Sequence, residues 1–521
     1  LKDIGVERVT GIWMTHHHRD QGQGLSRAVE MGIPIYVPHT EQDLFNKIDE
    51  HWQAREIMNN YNTRQDRFSL LDSIPIAGTL KDYSIIPVGK QQFQIIPTPG
   101  HTAGSVSILA MIDGESVAFT GDLIAAPGKV WSMSATQWTY NGAEGVPATI
   151  ISLLDLKDRQ VQMLLPSHGD PINQPEVAID LLVDRFSKLL QYRQQNPRLL
   201  QLRDKPYENV LPHLLKSRAS MSNYYVLLSD SGKALFIDFG YDFITGIAAG
   251  ADRASRRPWL YNINRLKSDY GVKNIDAVLL THYHDDHVAG CNLLRDVEGA
   301  EVWAAENFAD ILERPTDYDL PCLWYDPIPV DRVIPLKTSF QWEGYEITLY
   351  EQPGHALYAV AIAFEADGKK VLVQGDQYQG NEGLLWNYVY QNRFQYDDYT
   401  QSAVLYEALK PDVIVSGHWE PIWTKDGYWK KLQECGQLLK QLHVDLLPTQ
   451  EIDLEAEGFA ARISPYQINA VAGSSIPITV EVLNPLPIEE NVKVRLILPT
   501  GWRAEEQEQI IRLPAKSKGA L

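Results

Sequence analysis

The sequence predicts an α/β protein made of two related units followed by an all-β segment. The first observation is a set of four motifs that occurs twice in the same order. The second is that strand-length apolar runs alternate with helical patterns in both units. The third is a change after Pro448, where short runs alternate with period two between turn residues.

The four repeated motifs indicate an internal duplication. His101 and Asp122 are 21 positions apart, and His355 and Asp376 are also 21 positions apart. Four motifs in one order and at near-equal spacing predict two homologous units. The paired segments are Thr15–Gly24 with Thr281–Gly290, Pro99–His101 with Pro353–His355, Gly121–Asp122 with Gly375–Asp376, and Ser167–Ile172 with Gly417–Ile422.

Composition and charge exclude several classes of protein. Hydrophobic residues make up 44% and charged residues 22% of the 521 residues, which is typical of globular domains. The apolar runs are of strand length, so we expect no membrane span. A net charge of −20 disfavours binding to a phosphate backbone, so no nucleic acid is expected as a partner. Three distant cysteines predict neither a disulfide framework nor a Cys-based zinc site.

The pattern along the chain predicts three domains. Residues 1–205 form the first unit, residues 206–447 the second unit, and residues 448–521 a partial β-sandwich. Between the units, residues 180–196 have a helical pattern, and residues 198–218 are expected to form a connector.

The two ends of the chain carry further expectations. A hairpin pattern precedes His282 by about 60 residues, whereas 15 residues precede His16, so we expect the first unit to lack its opening strands. The chain begins at Leu1 and not at Met, which indicates a truncated N terminus and leaves a signal peptide undecided. The C-terminal segment resembles small immunoglobulin-like modules of exported bacterial proteins, which favours export.

Side chains that bind metals are concentrated in the second unit. In an extended chain, residues two apart share a face, so His282, His284 and Asp286 are predicted to converge on one point. His287, at the turn into the next helix, is predicted to reach a second point. The five imidazoles and two carboxylates suit zinc, iron or manganese. The full set is His282, His284, Asp286, His287, His355, Asp376 and His418.

A simpler interpretation is that these residues are structural. A buried histidine is usually a hydrogen-bonded core residue, and an aspartate before a helix is usually an N-cap. However, nine of the 14 histidines fall on motif positions, which favours metal binding. The nine are His16, His18, His101, His168, His282, His284, His287, His355 and His418.

The motifs resemble those of the metallo-β-lactamase superfamily, whose signature is HxHxDH followed by a later His, Asp and His. The resemblance covers roughly residues 1–430 and implies two αββα four-layer sandwiches in tandem. It implies two Zn²⁺ ions in the second domain, with iron or manganese as alternatives. It also implies that a hydroxide bridges the two ions and that Asp286, as the catalytic residue, orients this hydroxide. His282, His284 and His355 would hold the first metal, Asp286, His287 and His418 the second, and Asp376 would bridge them.

The first unit departs from the signature because Gln21 stands where the second unit has His287. An amide oxygen is a poorer zinc ligand than imidazole, so zero or one metal is expected there. A mono-metal enzyme, a dinuclear site with an unusual metal preference and a scaffold all stay open, and we favour a mono-metal or weakened site. The implied ligands are His16, His18, Asp20, His101, Asp122 and His168.

The residue at position 376 bears on the substrate. True β-lactamases of the superfamily usually have Cys or Ser there, whereas Asp376 resembles the glyoxalase II, lactonase, phosphodiesterase and dioxygenase branches. The resemblance therefore implies a metallo-hydrolase acting on a small-molecule ester, thioester, lactone or related bond. The alternatives are a mono-iron oxidoreductase resembling persulfide dioxygenases and a non-catalytic binding protein.

Aromatic residues between Asp376 and His418 are candidates for a substrate pocket. Tyr378, Trp386 and Tyr388 are predicted to line an apolar pocket over the metals. The alternative is that they pack in the core or in a lid. The oligomeric state is not predicted.

Overall fold

Helices and strands alternate along most of the chain, as predicted for an α/β protein. The computed structural model describes residues 2–56, 58, 61, 66–140, 143–246, 250 and 252–521. Within these ranges, none of the helices combines the length and apolar character needed to cross a membrane. Short 3-10 helices lie at Lys2–Ile4, His39–Glu41, Asp66–Phe68, Pro315–Asp317 and Tyr390–Asn392.

Two sheets form the N-terminal part of the chain. Their strands are β1 (Ile12–Trp13), β2 (Ile35–Pro38), β3 (Gly78–Leu80), β4 (Ile85–Val88), β5 (Gln91–Pro97), β6 (Val106–Ile112), β7 (Glu115–Gly121) and β8 (Met163–Pro166). Strands β1 to β3 form a parallel sheet, and β4 to β8 form a sheet in sequence order whose last pair is parallel. The helices are α1 (Arg19–Gly22), α2 (Leu25–Glu30), α3 (Asp43–Asn46), α4 (Ile48–Gln53), α5 (Val146–Asp158), α6 (Pro175–Arg193) and α7 (Leu199–Asp204).

Two larger sheets follow. The strands are β9 (Tyr207–Leu211), β10 (Leu214–Ser217), β11 (Tyr225–Leu228), β12 (Lys233–Ile237), β13 (Asn274–Leu279), β14 (Glu301–Ala305), β15 (Arg332–Ile334), β16 (Phe340–Trp342), β17 (Tyr345–Glu351), β18 (Val360–Ala366), β19 (Lys369–Val373), β20 (Tyr378–Gln379), β21 (Leu385–Trp386), β22 (Val413–Val415) and β23 (Ile422–Trp423). The seven-stranded sheet has the order β15-β14-β13-β12-β11-β10-β9, and the six-stranded sheet has the order β16-β17-β18-β19-β22-β23. The helices are α8 (Ile263–Tyr270), α9 (Asp285–Val288), α10 (Cys291–Glu298), α11 (Ala309–Glu313), α12 (Asp398–Leu409) and α13 (Tyr428–Leu446).

The central strands of the six-stranded sheet are buried on both faces. Successive side chains of a strand point to opposite faces. Val371 and Val373 of β19 join the core that also contains the seven-stranded sheet. Leu372 packs on the other face with Tyr406 of α12 and Leu432 of α13. The two sheets therefore lie face to face, with α12 and α13 outside the six-stranded sheet.

The predicted connector over residues 198–218 is wrong. This stretch contains α7, β9 and β10, and β10 pairs with β11 so that the two strands extend the seven-stranded sheet. Lys216 interrupts the apolar pattern that predicts a buried strand, because it is a charged residue that is nevertheless buried in β10. Its Nζ lies 3.0 Å from Glu208 and 2.5 Å from Glu420.

The C-terminal segment is all β, as predicted. Its strands are β24 (Ala461–Ser464), β25 (Thr479–Leu483), β26 (Glu490–Arg495), β27 (Glu508–Leu513) and β28 (Lys518–Ala520). They form a β24-β25-β28 sheet and a β26-β27 sheet. Gln467 donates its main-chain N–H to the Thr316 carbonyl at 2.8 Å, and the Tyr396 hydroxyl donates to Asp453 at 3.0 Å, so this segment docks on the second part.

Arg257 connects the N-terminal part with the second part. Its Nε and Nη2 donate to the Asp82 carboxylate at 2.7 and 2.5 Å. Its Nη1 donates to the carbonyls of Ala103 and Ser105 at 3.2 and 3.0 Å, just after the predicted ligand His101. Both members of this ion pair are buried, with side-chain exposures of 5% and 9%.

The residues around Arg257 contact both the N-terminal part and the second part of the chain. The preceding Arg256 donates to Asp285, inside the HxHxDH motif of the second unit. Trp259 and Ile244 are buried in the core built by α5 and α6, together with Phe186. The second part thus supplies side chains that complete the core of the first.

Replacing Arg257 with Met should destabilise the protein strongly. Removing one partner of a buried ion pair leaves an uncompensated charge, which costs about 3–5 kcal/mol. We expect Arg257→Met to lower the free energy of unfolding by that amount, measured by urea titration of the whole chain.

The matched control is Arg27→Met, because Arg27 pairs with Glu30 at the surface, where both side chains are more than 60% exposed. An exposed pair contributes about 0–1 kcal/mol. If Arg257→Met destabilises no more than Arg27→Met, the Arg257 contact does not hold the two parts together.

Candidate metal centre

The HxHxDH motif lies at the carboxyl end of a buried strand. Strand β13 ends shortly before His282 and His284, and helix α9 begins at Asp285. The helical turn carries Asp286 away from the two histidines, so the prediction that Asp286 converges on their point is wrong. His355 takes the third place instead.

His282, His284 and His355 form the first group of candidate ligands, and all three are buried. His284 Nδ1 lies 3.1 Å from His355 Nε2. His282 Nε2 is buried without a hydrogen-bond partner among the described residues. Nitrogen ligands about 2.0–2.1 Å from a tetrahedral zinc ion lie about 3.3 Å apart, so this group fits such a metal.

Asp286, His287, Asp376 and His418 form an adjoining second group. His418 Nε2 lies 3.1 Å from Asp286 Oδ2 and 3.0 Å from Asp376 Oδ2. His287 Nε2 lies 3.3 Å from Asp376 Oδ1. In the part of the chain that the structure describes, His287 Nε2 and Asp376 Oδ1 are buried without a hydrogen-bond partner. These two atoms therefore fit a second metal position.

Asp376 contacts both groups. Its Oδ2 also lies 3.6 Å from His355 Nε2 of the first group. Close packing around it requires glycine at position 417, because a Cβ on Gly417 would lie 2.1 Å from Asp376 Oδ1 and 2.6 Å from His287 Cε1. The position of Asp376 therefore fits a carboxylate that bridges two ions.

Burial and charge set the protonation of the two groups. Burial lowers the pKa of His282 well below its usual value and lowers the pKa of His284 to about 3. These imidazoles are neutral, as metal ligands must be. Burial alone would also lower the pKa of His418, but Asp376 and Asp286 raise that pKa to about 10. The second group therefore favours a positive charge at its centre.

Asp238 holds the motif in place, although none of the sequence motifs includes it. Its Oδ2 accepts from His287 Nδ1 and from Thr281 Oγ1, both at 2.8 Å, and its Oδ1 accepts from the Thr281 N–H at 2.8 Å. The Nδ1 proton of His287 therefore faces Asp238, and Nε2 faces Asp376. A usable signal was present, because Asp238 directly follows β12, the parallel neighbour of β13.

The N-terminal part repeats the first group. His16, His18 and His101 are buried together, and His18 Nδ1 lies 2.8 Å from His101 Nε2. Among the described residues, His16 Nε2 and His101 Nδ1 are buried without hydrogen-bond partners. These three side chains fit one metal ion.

A smaller second group lies beside it, formed by Asp20, Asp122 and His168. His168 Nδ1 lies 2.9 Å from Asp122 Oδ1, and its Nε2 lies 3.4 Å from Asp20 Oδ2. Gln21 of α1 stands where His287 completes the corresponding group of the second unit. Three charged or imidazole side chains are thus brought together here, against four in the second unit.

The prediction of an aromatic substrate pocket is wrong for Tyr378. Its side chain is 1% exposed in the core between the six-stranded sheet and α12, and its hydroxyl donates to the Tyr399 carbonyl at 3.2 Å. Trp386 and Tyr388 are half-buried against the same cluster, and a role in substrate binding stays a prediction for them. The main chain between them approaches the metal centre, because His355 Nδ1 lies 3.0 Å from the Asn387 carbonyl.

Asp238→Asn should weaken metal binding at the second group. An amide has one acceptor oxygen, so its NH2 group would face either the Thr281 N–H or the donors His287 Nδ1 and Thr281 Oγ1, and one side of the contact would be lost. Loss of such a supporting contact typically lowers metal affinity about 10–100-fold, and we expect that loss in a zinc titration against a chromophoric chelator. Asp269→Asn, on the exposed surface of α8, is the control. Equal affinity of the two variants would contradict the role given to Asp238.

Comparison with known proteins agrees with this geometry. Residues 218–418 match the family model described as the metallo-beta-lactamase superfamily. A protein of Streptococcus pyogenes named as a probable metallo-hydrolase is 32% identical over 22% of this chain and 50% of its own length. A metal-dependent hydrolase of Pyrococcus abyssi is 26% identical over 35% of this chain and 83% of its own length.

Two further likenesses complete the comparison. A hydroxyacylglutathione hydrolase of Cereibacter sphaeroides is 27% identical over 28% of this chain and 48% of its own length. The chain thus spans about half the length of the streptococcal and Cereibacter relatives. A solved metallo-beta-lactamase variant from Cronobacter sakazakii covers 46% of this chain and 98% of its own, with 19% identity and a TM-score of 0.36. Residues 218–418 are therefore similar to the metallo-β-lactamase superfamily.

Proposed function

We propose that the chain is a metal-dependent hydrolase whose active centre is formed by the second unit. The observation that carries this proposal is the pair of adjoining ligand groups that meet at Asp376. Two bound zinc ions, or iron or manganese in their place, would bring the pKa of a water molecule towards ~7 and polarise the bond to be cleaved. The relatives named as metallo-hydrolases support hydrolysis as the reaction class.

The exposure of the ligands supports one direction of approach for the substrate. The side chains of His418 and Asp286 are 33% and 16% exposed, whereas His355 and Asp376 are 7% and 4% exposed. A substrate would therefore arrive on the side of the second metal position. There Asp286 would orient the attacking water through a carboxylate oxygen, as the catalytic residue.

We infer that the substrate is a small molecule with an ester, thioester, lactone or related bond. The relative named hydroxyacylglutathione hydrolase supports this class. Asp376, where true β-lactamases usually have Cys or Ser, supports it against β-lactam hydrolysis. The net charge of −20 argues against a polyanionic substrate.

We further propose two metallo-β-lactamase units in tandem, over residues 1–205 and 206–447, followed by a partial immunoglobulin-like module over residues 448–521. The matching ligand groups of the two units support the duplication. The first unit would bind one metal through His16, His18 and His101, and its second group would bind weakly because Gln21 replaces a histidine.

His284→Ala should abolish most hydrolysis by the full chain. The variant removes a ligand of the first metal, so we expect kcat/KM to fall at least about a hundredfold on a panel of thioesters, lactones, phosphodiesters and β-lactams. The control is His213→Ala, because His213 lies half-exposed in a turn and pairs with Asp367. Undiminished turnover by His284→Ala would show that the chemistry lies elsewhere.

Metal content of the purified chain separates the candidate functions. Hydrolysis predicts about two or three zinc ions per chain, with loss of metal in His284→Ala. One iron with oxygen consumption would support the mono-iron oxidoreductase instead. A chain that takes up no metal would support the non-catalytic binding protein.

A further inference from the structure

A chain of hydrogen bonds passes through the first ligand group. Asn392 Nδ2 lies 3.0 Å from His284 Nε2, His284 Nδ1 lies 3.1 Å from His355 Nε2, and His355 Nδ1 lies 3.0 Å from the Asn387 carbonyl. Asn392 is fully buried, so solvent does not compete for these contacts. None of the motifs in the sequence includes Asn392.

The carbonyl at the end of the chain sets the direction of every bond in it. A carbonyl oxygen accepts only, so His355 carries its proton on Nδ1 and presents an unprotonated Nε2 to His284. His284 must then donate from Nδ1 and accept at Nε2 from the Asn392 amide. In this arrangement the proton of His284 lies on the nitrogen that faces the first metal position.

We propose that Asn392 is a positioning residue that controls which ring nitrogen of His284 carries the proton, and thereby the metal affinity of the first position. This inference rests on the proposed function. A metal bound at Nδ1 requires the proton to sit on Nε2, which an amide N–H opposes. If the amide of Asn392 rotates by half a turn, its Oδ1 lies against His284 Nε2. His284 Nε2 can then carry the proton and donate it to Oδ1.

The surroundings of Asn392 allow both orientations of its amide. The Tyr283 hydroxyl now donates to Oδ1 at 3.3 Å, and it would accept from Nδ2 after the turn. The bond that opposes the turn is that from Nδ2 to the His355 carbonyl, at 2.9 Å. This is a single neutral hydrogen bond, so the orientation of Asn392 biases metal binding without forbidding it.

Two substitutions at position 392 should change metal affinity in opposite directions. Asn392→Asp offers oxygens alone, which accept from His284 Nε2 and leave Nδ1 free, so we expect zinc to bind the first position about tenfold more tightly. Asn392→Leu has a similar size but no polar atom, so we expect about tenfold weaker binding because nothing orients the His284 ring.

The experiment is a calorimetric zinc titration of the metal-free full chain, with the absorption spectrum of the cobalt-loaded protein as a second reading of the first position. The matched control is Asn387→Ala, because Asn387 contacts His355 through its main-chain carbonyl and should keep wild-type affinity. Melting temperatures of the metal-free variants are recorded to detect a loss of folding.

The outcomes distinguish this inference from the proposed function. Opposite shifts for Asn392→Asp and Asn392→Leu, with Asn387→Ala unchanged, support the inference. If both variants weaken zinc binding equally, Asn392 is a structural residue. If both variants bind zinc as tightly as Asn387→Ala does, Asn392 has no role in metal binding. In both cases the hydrolase proposal stands. A wild-type chain that binds neither zinc nor iron nor manganese overturns both proposals.

Discussion

The contact of Asp376 with the imidazoles of both ligand groups is the interaction around which the candidate centre is arranged. Strand β19 of the six-stranded sheet brings Asp376 to the site, and β13 of the seven-stranded sheet brings the histidines of the motif. The two groups therefore meet only when the sheets pack face to face. Val371 and Val373 stabilise that packing from one face of β19, and Leu372 packs on the opposite face. Binding of a metal by these groups would therefore be coupled to folding of this part.

The ligands could be predicted from the sequence because their residue types are rare and their spacing repeats. The supporting residues could not be predicted in this way. Asp238 and Asn392 act on histidines 49 and 108 positions away, and neither belongs to a periodic pattern. The period-two rule placed Asp286 with His282 and His284, and it fails because α9 begins there, whereas the resemblance placed Asp286 with His287 and His418. Local geometry, more than residue type, decides which point a ligand reaches.

The fold was predictable wherever burial followed a simple period. The strands around the motifs and the opening hairpin follow such periods, and they form as expected. The connector was misjudged because Lys216 and Ser217 follow only two leucines in β10. The cost of burying Lys216 is offset by two glutamates. Tyr378 shows a second limit. An aromatic side chain has the same composition signal in a core as in a pocket, so its place depends on packing that no pattern reveals.

The positions of Trp259 and Arg257 make the second part of the chain depend on the N-terminal part. Trp259 fills the core of the N-terminal part, and Arg257 holds the loop that carries His101. Deleting the N-terminal part would expose the indole of Trp259 and remove the partners Asp82, Ala103 and Ser105 from Arg257. The N-terminal part therefore contributes to stability whether or not its own ligand groups, beside which Gln21 stands in place of a histidine, bind a metal.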